Sequence, residues 1–439
     1  MYKKVFNLEQ ITPMWHFQGD DPSCCLRATE VKPKLDRFII KSLGEDNIPA
    51  DWWIDKEHNS ALNYKMRISC DSARTRVLPD VDQYGKNLYP IFFANMGGKQ
   101  GQRKTLVMFS GVAMTITSMI SGLLKYISAE SFMDGFLAAH SFGARQDKGF
   151  GCFCRIGDNN SPVYLRPDNA SYYFDVPVSF HGLSTNYVEL FKYIHYFHKV
   201  IRSGVNESGC YVKSMMYFYA VSKRVVWDKP VIRRRFQENN DVYKFICGQP
   251  VNVRNVPEAI QHKDRSSYQR ELMSEYSMNY NFDDDTLFWL CRDILGLASS
   301  QEWRAYGDTI TIQRSIDSEV ADDGVMYAEA RLRSPIDYHP VPNGSTIRVY
   351  LIVNELPIEL YNERFAIKNK RGQIQDGFFL LDISNDYGDH VSVRNYMSYV
   401  YRNKKQILDQ IGDRNNGKYR YIRNAFEENS GMRCTAREK

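Results

Sequence analysis

Residues 139–156 read Ala139-His140-Ser141-Phe142-Gly143-Ala144-Arg145-Gln146-Asp147-Lys148-Gly149-Phe150-Gly151-Cys152-Phe153-Cys154-Arg155-Ile156, and the reading of this stretch decides the fold. Three glycines, Gly143, Gly149 and Gly151, alternate with Arg145, Lys148 and two phenylalanines before a strand-like apolar run. Glycine tolerates positive φ and lets another chain come close. Successive N–H groups in such a loop can form an anion-binding concavity. Arg145 and Lys148 supply charges suited to phosphate, and Phe142 and Phe150 are placed either to stack on a base or to anchor the loop. A glycine-rich turn closing a hairpin, its charges in solvent, would use the same residues, so the rest of the chain has to choose.

Upstream, Ser131 to Ala139 reads as a short helix that delivers the chain into the loop. Thr105 to Thr117 (TLVMFSGVAMTIT) alternates and is β-branched, which predicts one strand. Gly97 to Lys104 has no apolar anchor and reads as a mobile basic loop. Ala61 to Cys70 alternates as a further strand. Thr29 is placed to cap a helix whose apolar face is Val31, Leu35, Phe38 and Ile39, with Pro33 expected in its first turn. Arg27, Lys32, Lys34 and Arg37 crowd the start and one flank of that helix. A helix N-terminus ringed by cations suits phosphate, and the same charges also suit a solvated helix face. Lys3 to Met14 reads as the first strand. The resulting order approximates a βαββαβ, RRM-type unit over residues 1–158.

Downstream, Asn159 to Phe180 is irregular, with Pro162, Pro167 and Pro177 bounding a Tyr-rich strand. Asn186 to Ser203 is the clearest helix, with Tyr187, Leu190, Phe191, Ile194, Phe197 and Ile201 on one face. His195 and His198 share that helix at i, i+3, a spacing open to a metal but lacking a third ligand nearby. Residues 159–280, including Arg233-Arg234-Arg235, read as an inserted or linking region with its own helices. Asp283-Asp284-Asp285 could mark a metal-dependent polymerase or nuclease, but the triplet lies where a helix N-terminus favours negative charge. Tyr327 to Leu332, Ser334 to Pro340 and Thr346 to Val353 make a second strand-rich region. The C-terminal Tyr399-Val400-Tyr401-Arg402 and Lys418-Tyr419-Arg420-Tyr421-Ile422-Arg423 alternate tyrosine with cations, a pattern fit for nucleic-acid stacking or for a helix flank.

The 439 residues allow two or three domains, and 43% hydrophobic residues allow substantial cores. A net charge of +5 permits a polyanionic partner without requiring one. Nine scattered cysteines with no CxxC pair argue against a disulfide scaffold or a zinc site and for a reducing compartment. With no apolar leader and no membrane-length run, a cytoplasmic protein without membrane contact is expected. Ser–His–Asp, Walker A and HExxH arrangements do not occur, so neither a catalytic residue nor a cofactor nor a metal is expected. His16 and His140 make the best case for an enzyme, as an acid–base pair for RNA cleavage.

Two segments carry a family resemblance. Ile11-Thr12-Pro13 followed by Leu26-Arg27-Ala28-Thr29-Glu30-Val31-Lys32-Pro33-Lys34-Leu35-Asp36-Arg37-Phe38 resembles the opening of RAMP-superfamily CRISPR proteins, a strand ending in "TP" and then "LRAS-x-KG-x-LR". Ser141 to Gly151 is similar to their glycine-rich loop, and Arg333-Ser334-Pro335-Ile336 to the "R-x-SP" strand of their C-terminal domains. The nearest form is subunit one of the Cmr, type III-B, effector complexes. Pro33 replaces a usual glycine, and Asp147 a usual basic residue. The resemblance implies an α+β protein of two ferredoxin-like domains, residues 1–158 and 281–439, joined by the inserted region 159–280. It implies a non-catalytic subunit that holds CRISPR guide RNA, or the guide–target RNA duplex, near one end of a complex with other effector subunits. RNA contacts are then expected from Arg27, Thr29, Lys32, Lys34, Arg37, Gly143, Arg145, Lys148, Gly149 and Gly151. A RAMP-type metal-independent ribonuclease and a purely structural interaction subunit are the other readings.

Overall fold

The computed structural model describes residues 1–15, 26–56, 59–71, 76–79, 83–84, 88, 106–207, 209–223, 225, 227, 245, 250–256, 261, 288–297, 300–303, 308–316, 326–329, 332–362, 364–369, 374–380, 391–427 and 433–434. His16, the Gly97–Lys104 loop, Arg233–Arg235 and Asp283–Asp285 lie outside them.

The first sheet is built from β1 (Tyr2–Gln10), β2 (Lys65–Ser69), β3 (Val112–Ser118), β4 (Phe153–Ile156) and the short β5 (Pro162–Val163), in the antiparallel order β5-β4-β1-β3-β2. Helix α1 (Ala28–Leu43) connects β1 towards β2, and α2 (Ser121–Ile127) and α3 (Glu130–Ala139) connect β3 to β4. Period-two alternation sets the faces: Phe6 and Leu8 of β1 and Met114 and Ile116 of β3 turn towards the helices, while Lys3, Val5 and Asn7 turn outward. Leu35, Ile39, Phe136 and Phe142 close this core from the other side.

The helix starts two residues earlier than the cap reading requires. Arg27 occupies the N-cap and Thr29 is the second helical residue, exposed and not a cap. Pro33 falls at the sixth helical position, not in the first turn. It forfeits the bond to the Thr29 carbonyl, and its own exposure leaves that turn facing solvent. The run Thr105–Thr117 is likewise two strands, Leu106–Met108 and β3. Gly111 at φ 58° breaks it, where a Cβ would lie 3.0 Å from the Cβ of Asp71.

The second sheet comprises β6 (Ala170–Val176), β9 (Ile336–Asn343), β10 (Thr346–Val353) and the two-residue β11 (Arg433–Cys434), in the antiparallel order β9-β10-β6-β11. Helix α4 (Tyr187–Arg202) follows β6, and α6 (Val393–Arg402), α7 (Lys405–Ile411) and α8 (Tyr419–Phe426) precede β11. In both sheets, then, the first strand lies between the third and the fourth, and the second flanks the third. The second unit therefore takes its first strand and helix from residues 170–202, inside the stretch read as a linker. The Tyr-rich strand expected between the prolines is Ala170–Val176, and its Ala170, Tyr172, Phe174 and Val176 point into the core. The hairpin β7 (Val205–Glu207) and β8 (Cys210–Val212), helix α5 (Met215–Ser222) and the strands of a further sheet, at 288–289, 300–303, 308–316, 326–329, 364–369 and 374–380, leave this unit as excursions from α4 and from β10.

The two units share a core. Leu106, Met108 and Phe150 of the first pack into the same cluster as Phe174, Phe191, Ile194, Phe197 and Tyr338 of the second. No helix among the described residues is long and apolar enough to cross a membrane.

Candidate nucleic-acid interface

The glycine-rich loop sits at the seam between the units, fastened on both sides. Phe142 enters the first core beside Phe136 and Phe153, with ring centroids 6.1 and 6.0 Å away. Phe150 enters the second, stacked on Phe191 of α4 at 3.8 Å and 11°. Both phenylalanines are fully buried, so neither is an open platform for a base.

The loop's glycines answer to packing inside the protein. At Gly151 (φ +71°) a Cβ would lie 1.8 Å from the Phe142 carbonyl oxygen; at Gly143 (φ +85°) it would lie 2.5 Å from Met14 Cγ and 2.8 Å from the Trp15 oxygen. At Gly149 (φ +89°) it would meet Pro340 of β9 at 3.0 Å. The loop amides are also largely committed. Phe142 N–H donates to Gly151 O, Ala144 N–H to Trp15 O, Lys148 N–H to Arg145 O, Gly149 N–H to Gln146 O and Gly151 N–H to Pro13 O. Cys152 N–H donates to Thr12 Oγ1, and Gly143 N–H to the Glu30 carboxylate at 2.8 Å. The anion that the Gly143 amide binds is thus the protein's own. Arg145 holds a left-handed φ of 58°, which costs a non-glycine residue about 1–2 kcal/mol.

Three of the expected cations are bound up locally. Lys34 donates to Ser141 O at 2.8 Å and Gln146 Oε1 at 2.6 Å, pairs with Glu30 at 3.2 Å, and lies 4.8 Å from the Phe142 ring centroid. It ties α1 to the loop. Lys32 pairs with Asp36 at 2.8 Å, donates to Leu62 O and lies over the Tyr64 ring. Lys148 is buried and pairs with Asp147 at 3.0 Å. Burial pulls its ammonium below the usual lysine range, while Asp147 opposes the shift. Arg27 and Arg145 are half-buried.

What faces outward is a rim of cations beside the loop. Arg37 and Lys41 are exposed on α1, and Arg333, just before β9, is 59% exposed although paired with Asp337 at 2.6 Å. Burial lowers the Lys34 pKa, Glu30 opposes this, and Arg333 and Arg37 add like-charge repulsion. His140 is lowered by burial and then by Lys34, Arg37 and Lys41. Both units therefore contribute to one positive field. Sequence reading missed Lys41, although it stands one turn from Arg37 on the same helix face. It named Arg333 only as part of a motif.

The C-terminal tyrosines and cations serve packing. Tyr421 stacks on Tyr196 at 5.3 Å, Arg420 pairs with Glu189, Lys418 with Glu207 and Arg423 with Glu427.

For nucleophilic chemistry the loop offers one cluster that no local motif shows: Ser141 Oγ lies 3.3 Å from Cys152 Sγ, and His339 Nδ1 lies 3.4 Å from Ser141 Oγ and 3.7 Å from Cys152 Sγ. All three are buried. Burial pushes the Cys152 thiol up to about 11 and the His339 imidazole down to about 4, so at neutral pH neither is charged and no thiolate–imidazolium pair forms. His140 donates from Nδ1 to the Phe136 carbonyl at 2.9 Å and packs edge-on against Phe38. His195 lies edge-on against Tyr196, and His198 bonds the Tyr338 hydroxyl at 3.0 Å. No group of three or more His, Cys, Asp or Glu among the described residues could hold a metal ion.

In comparison with known proteins, residues 1–205 match the model of the Cmr1 N-terminal domain and residues 211–420 that of the Cmr1 C-terminal domain. Among solved structures, apo Cmr1 from Pyrococcus furiosus is similar over 92% of this chain and 97% of that one, at 11% identity and a TM-score of 0.35, a value on which nothing is built. No protein of curated function matches. The two family matches between them span nearly the whole chain, which belongs to the Cmr1 family of subunits of type III-B CRISPR complexes.

Proposed function

We propose that this chain is a non-catalytic RNA-binding subunit of a type III-B effector complex, cytoplasmic, which holds guide RNA or the guide–target duplex near one end of the assembly. The observation that carries the reading is the cationic rim. Arg37 and Lys41 from one unit and Arg333 from the other lie beside the loop, Arg37 and Arg333 adding to the lowering at Lys34, Arg37 and Lys41 to that at His140. Such a rim suits a phosphate backbone. In this reading the buried loop is the rim's scaffold. It locks the units so that the cations keep their spacing, while Arg27 and Arg145 add charge at its edge. The two sheets are read as ferredoxin-like, the second interrupted by a long insertion after its first helix. The neutral Cys152–His339 pair and the tethered His140 favour binding over catalysis.

The test is filter binding of single-stranded RNA to the full chain across a salt series, followed by electrophoresis of the RNA. Affinity should fall steeply as salt rises, with little sequence preference and no cleavage. Salt-indifferent affinity sinks the RNA reading. Cleavage lost in His16→Ala or His140→Ala, with binding retained, would replace it with the ribonuclease.

A further inference from the structure

The outward face of the first sheet is a second charged surface, separate from the loop. The register places Lys3, Thr117 and Lys65 on one rung across β1, β3 and β2, and Val5, Thr115 and Arg67 on the next. Lys3, Lys65 and Arg67 are exposed, and none forms an ion pair among the described residues. The third rung, Asn7, Ala113 and Ser69, is uncharged. Of the outward positions on these three strands only Glu9 bears a carboxylate, at the far end beside Cys154. With strands about 4.8 Å apart, Lys3 and Lys65 flank a threonine-lined strip about 10 Å wide.

We propose that this face is a second RNA-backbone site, at which single-stranded RNA lies across the threonines with its phosphates between the three cations. The inference rests on the RNA-binding reading but not on the rim. Lys and Arg neutralise phosphate, and threonine hydroxyls can bond phosphate oxygens or 2′-hydroxyls. The three rungs carry no aromatic residue, so bases find no stacking platform and the contact is indifferent to sequence. A protein partner fits the chemistry less well. Val5 is the only large apolar side chain on these rungs, and Lys, Ser and Ala are depleted in protein–protein interfaces.

The experiment titrates the full chain with oligouridylate RNA at several salt concentrations, in four forms. These are the parent, a sheet variant (Lys3→Gln, Lys65→Gln, Arg67→Gln), Thr115→Glu and Thr115→Val. The sheet variant should flatten the slope of log K against log salt by about 2, at about 0.7 per lost phosphate contact. Thr115→Glu should weaken binding at least tenfold, while Thr115→Val, a same-shape change without charge, should leave it within about twofold. Parent-like binding by both the sheet variant and Thr115→Glu overturns the proposal and leaves the rim standing. If the same variants bind RNA normally but fail to assemble with other effector subunits, the face docks protein and the proposal is wrong. A parent that binds no oligouridylate overturns both sites together.

Discussion

Replacing Gly151 with alanine is the sharpest test of why the loop is glycine-rich. The new Cβ would sit 1.8 Å from the Phe142 oxygen and 2.8 Å from its carbonyl carbon, at a φ of +71°. No flexible side-chain tip is available to yield, so the backbone must move. The φ penalty alone is about 1–2 kcal/mol. Movement also breaks two bonds that Gly151 makes, from Phe142 N–H to Gly151 O and from Gly151 N–H to Pro13 O, both 2.9 Å. Each stranded buried group costs about 1–3 kcal/mol. The sum is about 3–8 kcal/mol, a large part of the roughly 5–15 kcal/mol that holds a domain folded. Gly344, in the β9–β10 turn, is the control. Its φ is +61° but nothing lies within 4 Å of the added Cβ, so Gly344→Ala should cost only the φ term, about 1–2 kcal/mol. Urea unfolding followed by circular dichroism compares the two, with Gly149→Ala expected between them because Pro340 stands 3.0 Å off. Equal midpoints for Gly151→Ala and Gly344→Ala would refute the packing argument and return the glycines to the role of admitting a ligand.

Acid should weaken the protein. Burial holds His339 at about 4 and His195 at about 3, against an ordinary 6.5, so these imidazoles are neutral when folded and take up protons on unfolding. Their contribution is complete above about pH 6.5 and is lost as pH falls towards 4, so the urea midpoint should decline across that window, less steeply in His339→Gln; a flat profile contradicts the assignment. Arg155, bidentate to Asp134 at 2.8 and 3.0 Å with both side chains buried, should cost about 3–5 kcal/mol when changed to Met. The double change with Asp134→Leu should recover much of the loss in the same denaturation assay, whereas additive losses would show that the pair is not the unit.

The sequence made the first unit legible because its order of elements is local. The alternation of Lys3–Met14, the apolar face of α1 and the glycine cluster can each be read within a dozen residues. Boundaries set by single residues were less visible. Gly111 splits a run that reads as one strand, and Pro33 sits inside a helix that tertiary packing of Leu35 and Ile39 holds regardless. The start of the second unit was obscured because β6 and β9 are more than 150 residues apart and no local pattern joins them. The loop's charges and glycines were noticed for the right positions, but their partners come from elsewhere: Glu30, Pro340, Ile194 and Phe191. The same distance hid the Ser141–Cys152–His339 cluster, whose members span almost 200 positions. Arg37 was legible as a cation on a helix, yet that Arg333 shares its field is a property of the assembled seam.

The central claim is that cations from both units form one RNA-binding rim. The salt dependence of RNA binding, compared between the parent and the variant Arg37→Gln, Lys41→Gln, Arg333→Gln, tests it most directly. All three side chains are exposed, so the fold should survive, and unchanged melting confirms that it does. The account predicts a slope of log K against log salt less steep by about 2, together with weaker binding at low salt. A variant that binds with the parent's affinity and the parent's slope would contradict it.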